Sequence, residues 1–412
     1  MLDFVEVRTK RTKFGVEFYP SFKIGYTEQL MIKGSKFHAL YNEETGLWTK
    51  DPLAIIKIVD KMVREYADKY TMPDDVPGRK ICRFMNDGDS KMIDKWWHYC
   101  EKQMRDYWRP LDASLIFADA TPTINDFATK KLPYVMREEE TPAYNEMTSV
   151  FFTDEERHKY EWFLGSILVG DSKWLQKFIV FYGEGGTGKG TIIDEVIEPM
   201  FDGYYDTFSA SALTSANNMF SLSAFRNSPL VAIDADGDLS RIEDNTKLNS
   251  LVSHEFMTVN LKYQSEYTDK FQSAIIMGTN KPIRITDAKS GLIRRLIDVT
   301  TTGDTIPNRR YNQLKKQLKF EIGGIAYKCK KVYEADPHFY DAYIPTAMLE
   351  KTNEFYNFLT DPGVLPKIAH DDEISLNAAW GLYDQYVKDA GLQYKLAKRI
   401  FRDELKNYFY KF

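Results

Sequence analysis

The segment Phe178–Thr191, FIVFYGEGGTGKGT, carries an apolar run straight into a glycine-rich turn that ends in a lysine. Phe178 to Tyr182 predict a buried strand, and the chain from Gly188 onward predicts a helix, so the turn lies between the two elements that a phosphate-binding loop requires. Glycines let the backbone aim successive N–H groups inward, and the following helix adds the positive end of its dipole. Lys189 then reaches the β- and γ-phosphates as a point charge. The expected nucleoside triphosphate site is Gly183, Glu184, Gly185, Gly186, Thr187, Gly188, Lys189, Gly190 and Thr191. One position departs from the usual pattern: Gly190 stands where a Ser or Thr hydroxyl normally faces Mg²⁺. Thr191, one place later, or a water has to supply that oxygen. The GKGT ending also suits nucleoside monophosphate kinases, so the residues downstream must decide between chemistries.

Working outward from about residue 160, strand-like and helix-like segments alternate: FIVFYG, the helix after Gly188, PLVAID, a helix near 241–253, MTVNLKY and SAIIMGTN. This alternation predicts a parallel-type α/β sheet. PLVAIDADGDL ends a strand on Asp234, with Asp236 two places on; a carboxylate there holds Mg²⁺ beside the phosphate loop, and a second acid orients the attacking water. SAIIMGTNKPI delivers Asn280 at its strand end, where an amide can position that water. GLIRRLID sets Arg294 next to Arg295, and an arginine reaching a neighbour's nucleotide stabilises transition-state charge.

Taken in order, GEGGTGKGT, VAIDAD, IIMGTNKPI and GLIRRL resemble superfamily 3 helicases, in particular the phage, plasmid and poxvirus-type primase-helicase family. The resemblance implies an AAA+-like P-loop NTPase core at 146–308, preceded by a mainly helical helicase-associated domain at 1–145 and followed by a helical, winged-helix-like domain at 309–412. It implies ATP and Mg²⁺, with Lys189 as the Walker A lysine, Thr191 and Asp234 toward the metal, and Asp234 or Asp236 as the catalytic acid, since Ala235 separates what is usually an adjacent pair. Asn280 takes the sensor position, and Arg294 or Arg295 the arginine finger. A ring follows, a hexamer by resemblance, that travels on single-stranded and forked DNA. The hairpin Thr258–Phe271 would line its channel with Lys262, Tyr263 and Lys270, a mix of cations and aromatic rings suited to a single strand. From Gln393 to Phe412 there are six basic residues against two acidic, and Lys398, Arg399 and Arg402 fall on the outward face of the last helix, facing DNA or solvent. The first 110 residues contain no carboxylate pair matching a primase site, which predicts a helicase served by a separate primase.

Composition bounds these readings. At 412 residues, 43% hydrophobic and 28% charged, the chain has the balance of packed domains rather than disorder. A net charge of -5 confines any nucleic-acid contact to local patches. Cys82, Cys100 and Cys329 are too few and too widely spaced for a disulfide framework. No window has the apolar length of a membrane span, and MLDFVEVRTKRTKF has no signal-peptide core. The expected compartment is therefore cytoplasm, that of a bacterial host by the resemblance. Within the first domain, Asp51 and Pro52 predict the start of a helix with Ile55, Ile58, Val59, Met62, Val63 and Tyr66 inward. FHALYNEETGLW predicts a hairpin. A DNA-packaging or other nucleic-acid motor, a nucleoside monophosphate kinase-like phosphotransferase, and an origin-binding protein that uses ATP only as a structural switch are the competing readings.

Overall fold

A computed structural model describes the chain apart from residues 1, 24–26, 35, 75–77, 83–89, 106, 216–221, 238–244, 261–266, 284–290, 361–363, 365–368, 371–372, 390–394 and 412. It divides into two units, Met1–Pro133 and Tyr134–Phe412.

In the first unit β1 (Val5–Thr12) and β2 (Gly15–Phe22) form an antiparallel ribbon with β6 (Arg79–Ile81) parallel to β2, while β3 (Leu30–Lys33), β4 (Lys36–Asn42) and β5 (Leu47–Thr49) make a second sheet. The expected mainly helical domain is thus corrected: the described residues hold six strands and only two long helices, α1 (Ala54–Lys69) and α2 (Ser90–Met104). VEVRTKRT and GVEFYPSF are rich in the β-branched and aromatic residues that suit a pleated surface. The β4–β5 hairpin stands where the polar turn predicts it. Asp51 starts α1 by accepting the Leu53 N–H at 2.9 Å. The buried seam of α1 is Ile55, Val59, Val63 and Ala67, at four-residue spacing, and Tyr66 faces out.

The second unit is a mixed α/β layer structure built on a five-stranded, all-parallel sheet ordered β13-β7-β12-β9-β8. The strands are β7 (Phe178–Tyr182), β8 (Tyr205–Thr207), β9 (Val231–Asp234), β12 (Ala274–Thr279) and β13 (Leu296–Thr300); β10 (Phe256–Val259) and β11 (Tyr267–Lys270) form a separate antiparallel pair. One face packs Phe178, Val180, Met277 and Leu296 against α8 (Thr246–Val252) and α10 (Thr346–Thr352). On the other face Phe181 meets Phe152 and Tyr160. Tyr160 belongs to α4 (Asp154–Val169), which is buried on nearly every side beneath α9 (Asn308–Ala335).

These contacts move the expected boundaries. The acidic stretch before residue 145 opens the second unit, because Tyr134 donates to the Met200 carbonyl at 2.8 Å and Glu321 of α9 accepts the N–H groups of Ala143 and Tyr144 at 3.0 and 2.9 Å. Those donors are the free N–H groups at the start of α3 (Pro142–Phe151). A cut at 308 would strip α9 from α4, so the sheet and the C-terminal helices form one unit. The helices Leu376–Asp389 and Lys398–Lys411 pack Tyr383, Phe401 and Leu405 against Phe355 and Phe358 of α11 (Glu354–Thr360). The expected apolar tail is the last turns of the second of these helices. Among the described residues no helix is long and apolar enough to cross a membrane.

Glu321→Ala leaves two buried backbone donors without an acceptor, so it should lower stability by about 2–3 kcal/mol. Glu321→Gln, which keeps one carbonyl acceptor, should lose visibly less. Thermal unfolding followed by circular dichroism measures both, and equal melting of all three proteins would discount the cap.

Candidate nucleotide site

The glycine-rich turn leaves β7 at the C-terminal edge of the parallel sheet, the edge where α/β sheets hold ligands. Both neighbouring strands anchor it: the Gly183 N–H donates to the Thr279 carbonyl at 3.3 Å, and the Thr301 N–H to the Tyr182 carbonyl at 3.0 Å. Inside the turn the Thr187 hydroxyl donates to the Glu184 carbonyl at 2.8 Å and meets the Thr301 hydroxyl at 2.8 Å. Gly188 caps α5 (Lys189–Ile192) with φ at 100°, and the ring of Phe151 lies 2.3 Å from where a Cβ would sit. No other residue fits there.

Lys189 is only 7% exposed, and its ammonium donates to the carbonyls of Gly183 and Glu184 at 2.8 and 2.7 Å. Both partners are neutral. Burial pushes the lysine's pKa down, and the charge of Asp236 pulls it partly back up. A buried cation folded onto its own loop, with an exposed acid at Asp236 as its nearby counter-charge, is the electrostatic setting that an added polyanion would satisfy.

The predicted acids separate. Asp234 is half-buried, and its Oδ2 accepts the Ala210 N–H at 2.7 Å at the start of α7 (Ala210–Leu213). Asp236 is exposed in the turn that the Gly237 N–H pins to the Gly278 carbonyl at 2.7 Å. Asn280, also exposed, follows Thr279, which is in register with Tyr182, so it stands level with Gly183.

Two of the predicted side chains have partners within the chain. Thr191 does not offer its hydroxyl to the loop: Oγ1 lies 2.9 Å from the Tyr311 hydroxyl on α9. Arg295 is 6% exposed, with its guanidinium bonded to Ser253 Oγ at 3.1 and 2.5 Å and to the Gly291 carbonyl at 2.8 Å, so it cannot reach a neighbour. Arg294 points into solvent, while its carbonyl accepts from Lys177 at 2.7 Å. Of the DNA candidates, Lys262 and Tyr263 lie outside the described residues. Lys270 is exposed on β11. Lys398, Arg399 and Arg402 are exposed opposite Phe401 and Leu405, with Lys398 bonded to Asn377 at 3.2 Å and Arg402 to Asp403.

Thr301, Tyr311, Ser253 and Lys351 escape sequence reasoning. Lys351, from α10, stands 4.1 Å from the centre of the Tyr182 ring at the mouth of the loop. Each is more than forty residues from the group it meets, and no short motif marks it.

Arg295→Ala should cost about 2–3 kcal/mol, because it removes a buried charged group and its bonds to a half-buried hydroxyl and carbonyl. Arg294→Ala, at an exposed position, should melt within about 0.5 kcal/mol of the parent. Comparable melting of the two variants in calorimetry would contradict the division of roles.

Residues 181–295 match the model of a family described as of unknown function, DUF5906. The matched stretch contains the loop, both acids, Asn280 and both arginines. No curated protein matches the chain. Among solved structures it is similar to the apo structure of the NrS-1 C terminal region (305-718), at 16% identity and a TM-score of 0.47, covering 87% of this chain and 82% of that one. It is also similar to the A form apo structure of the same region, at 15% identity and a TM-score of 0.44, covering 85% of this chain and 80% of that one.

Proposed function

We propose that this chain is a nucleic-acid motor: an ATP hydrolase of the superfamily 3 helicase type, built on an AAA+-like P-loop core, whose sites are completed by a second copy and whose turnover moves single-stranded DNA. The observation that carries the nucleotide reading is the buried Lys189 ammonium hydrogen-bonded, among the described residues, to two loop carbonyls. In this reading a triphosphate draws Lys189 off those carbonyls and takes the loop N–H groups in their place. Mg²⁺, when bound, would neutralise phosphate charge, and Asp236, exposed on its turn while Asp234 accepts the Ala210 N–H, is the carboxylate that would hold it. Asn280, level with the start of the loop, holds the attacking water.

Sheet geometry supports the second copy. Arg294 precedes β13 at the N-terminal edge of the sheet, level with the start of β7 through the Leu296–Phe178 pairing, whereas the loop leaves the opposite edge. Strand length alone separates the two by on the order of 15 Å. Arg294 therefore cannot serve the nucleotide of its own chain, and it serves the next one in the ring, a hexamer by resemblance. Trp174, 72% exposed and three residues before the lysine that bonds Arg294, is the kind of aromatic that anchors such a seam. The exposed basic residues Lys270, Lys398, Arg399 and Arg402 are the DNA-facing candidates within the described part of the chain.

Lys189→Ala should abolish hydrolysis with unchanged melting, and Arg294→Ala should lower it at least a hundredfold. Mixing these two inactive proteins should restore part of the activity, since mixed seams pair an intact loop with an intact Arg294. Single-stranded DNA should stimulate the parent. Hydrolysis by a monomer, indifferent to DNA and with no rescue on mixing, would favour a small-molecule phosphotransferase instead.

A further inference from the structure

Between Asn308 and Phe320 the sequence NRRYNQLKKQLKF holds five cations and no acid, in a chain whose net charge is -5. This stretch is the first half of α9, and the helical period sorts its cations into two groups. Leu314, Leu318 and Ile322 are buried and mark the side that packs on the rest of the unit. On the flanks, Arg310 bonds to Glu146 at 2.6 Å and Lys315 pairs with Glu195 at 2.5 Å, so each is answered by an acid of its own chain. Arg309, Asn312, Gln313, Lys316, Lys319 and Phe320 fall on the opposite side, and all are exposed. Among the described residues, Arg309, Lys316 and Lys319 have no hydrogen-bond or ion-pair partner. Phe320, 85% exposed, is the most exposed of the large apolar side chains described.

Charge and shape together say what this face fits. Cations at the first, eighth and eleventh positions of one stripe, with no acid between them, repel one another and attract a polyanion. From Arg309 to Phe320 the helix is a straight rod about 16 Å long, enough to follow a B-form major groove, which is about 12 Å wide and admits one α-helix. Asn312 and Gln313 set amides between the cations, and an amide both donates and accepts, as base edges require. Phe320, at the end of the stripe, suits contact with a thymine methyl. A single strand instead draws its binding from several stacked aromatic rings, and this face has one. The deep, narrow major groove of an RNA duplex does not admit such side chains.

We propose that the outward face of α9, from Arg309 to Phe320, is a contact for double-stranded DNA, with Arg309, Lys316 and Lys319 on its phosphates. It rests neither on a bound nucleotide nor on a ring. Fluorescence anisotropy of a labelled DNA duplex titrated with the full chain, without nucleotide and at several salt concentrations, tests it. Lys316→Ala/Lys319→Ala should weaken binding about tenfold or more and lower the slope of log Kd against log salt by about two. Melting should not change, because both positions are exposed. Phe320→Ala should weaken binding at an unchanged slope. Lys189→Ala should bind duplex as the parent does, which keeps this result apart from the nucleotide reading. Duplex binding by the double variant within about twofold of the parent at the same slope, or a parent that binds no duplex at low salt, overturns the proposal. So does an equal or larger loss on a single strand of the same length, which would assign the face to unpaired DNA. A change confined to self-association in sedimentation would assign it to a second copy and overturns the proposal as well.

Discussion

A buried lysine ammonium hydrogen-bonded, among the described residues, to two backbone carbonyls, with the Asp236 charge nearby, is the constraint that organises one edge of this molecule. Neutral carbonyls offset part of the desolvation of a cation and none of its charge. That arrangement survives because the loop bearing them is itself fixed. Thr279 and Thr301 bond it from the two strands flanking β7, and Phe151 closes the space behind Gly188. The carbonyls cannot turn away from the ammonium, and the ammonium cannot leave without some other group arriving. An anion with several oxygens is the group that relieves both at once.

Parallel strands give the sheet two unlike edges, and this chain uses them differently. The loop follows β7, Asp236 follows β9 and Asn280 follows β12. Arg294 and the exposed Trp174 instead precede strands. Because adjacent parallel strands keep their register, no side-chain rotation carries a residue from one edge to the other. On the proposed reading, a site that draws on both edges would take two copies in the same orientation, head to tail. A heterologous contact of that kind closes into a ring or grows into a filament.

Much of this edge is legible in the sequence because the relevant residues are local. A strand, a glycine run and a lysine lie within fourteen consecutive positions, and each acid or amide directly follows its own apolar run. The paired arginines look alike as letters. Only the fold separates them, by turning Arg295 under Ser253 and leaving Arg294 outside. Asp234 and Asp236 divide in the same manner, through an Ala210 N–H that no spacing predicts. The first unit is harder to read, because Val5–Phe22 alternates too weakly to compete with the amphipathic periodicity of α1 and α2, and its pairing with Arg79–Ile81 joins segments more than sixty residues apart. The boundary near residue 145 fails for a related reason. Three consecutive glutamates look like a linker, yet the backbone just beyond them is held by Glu321, a residue of α9 with no signature of its own as a helix cap.

A small-molecule phosphotransferase has to gather its catalytic cations over the transferred phosphate from within one chain, since it must close around an acceptor and exclude water. This chain places Lys189 in the loop and Lys351 over Tyr182 at its mouth, but sends Arg294 to the far edge and turns Arg295 inward. A motor has the opposite requirement. Its catalytic charge should arrive from a neighbour, so that hydrolysis in one subunit reports the position of the next. The placement of Arg294 meets that requirement, and it does so through strand direction, a property that no side-chain substitution near the loop could alter.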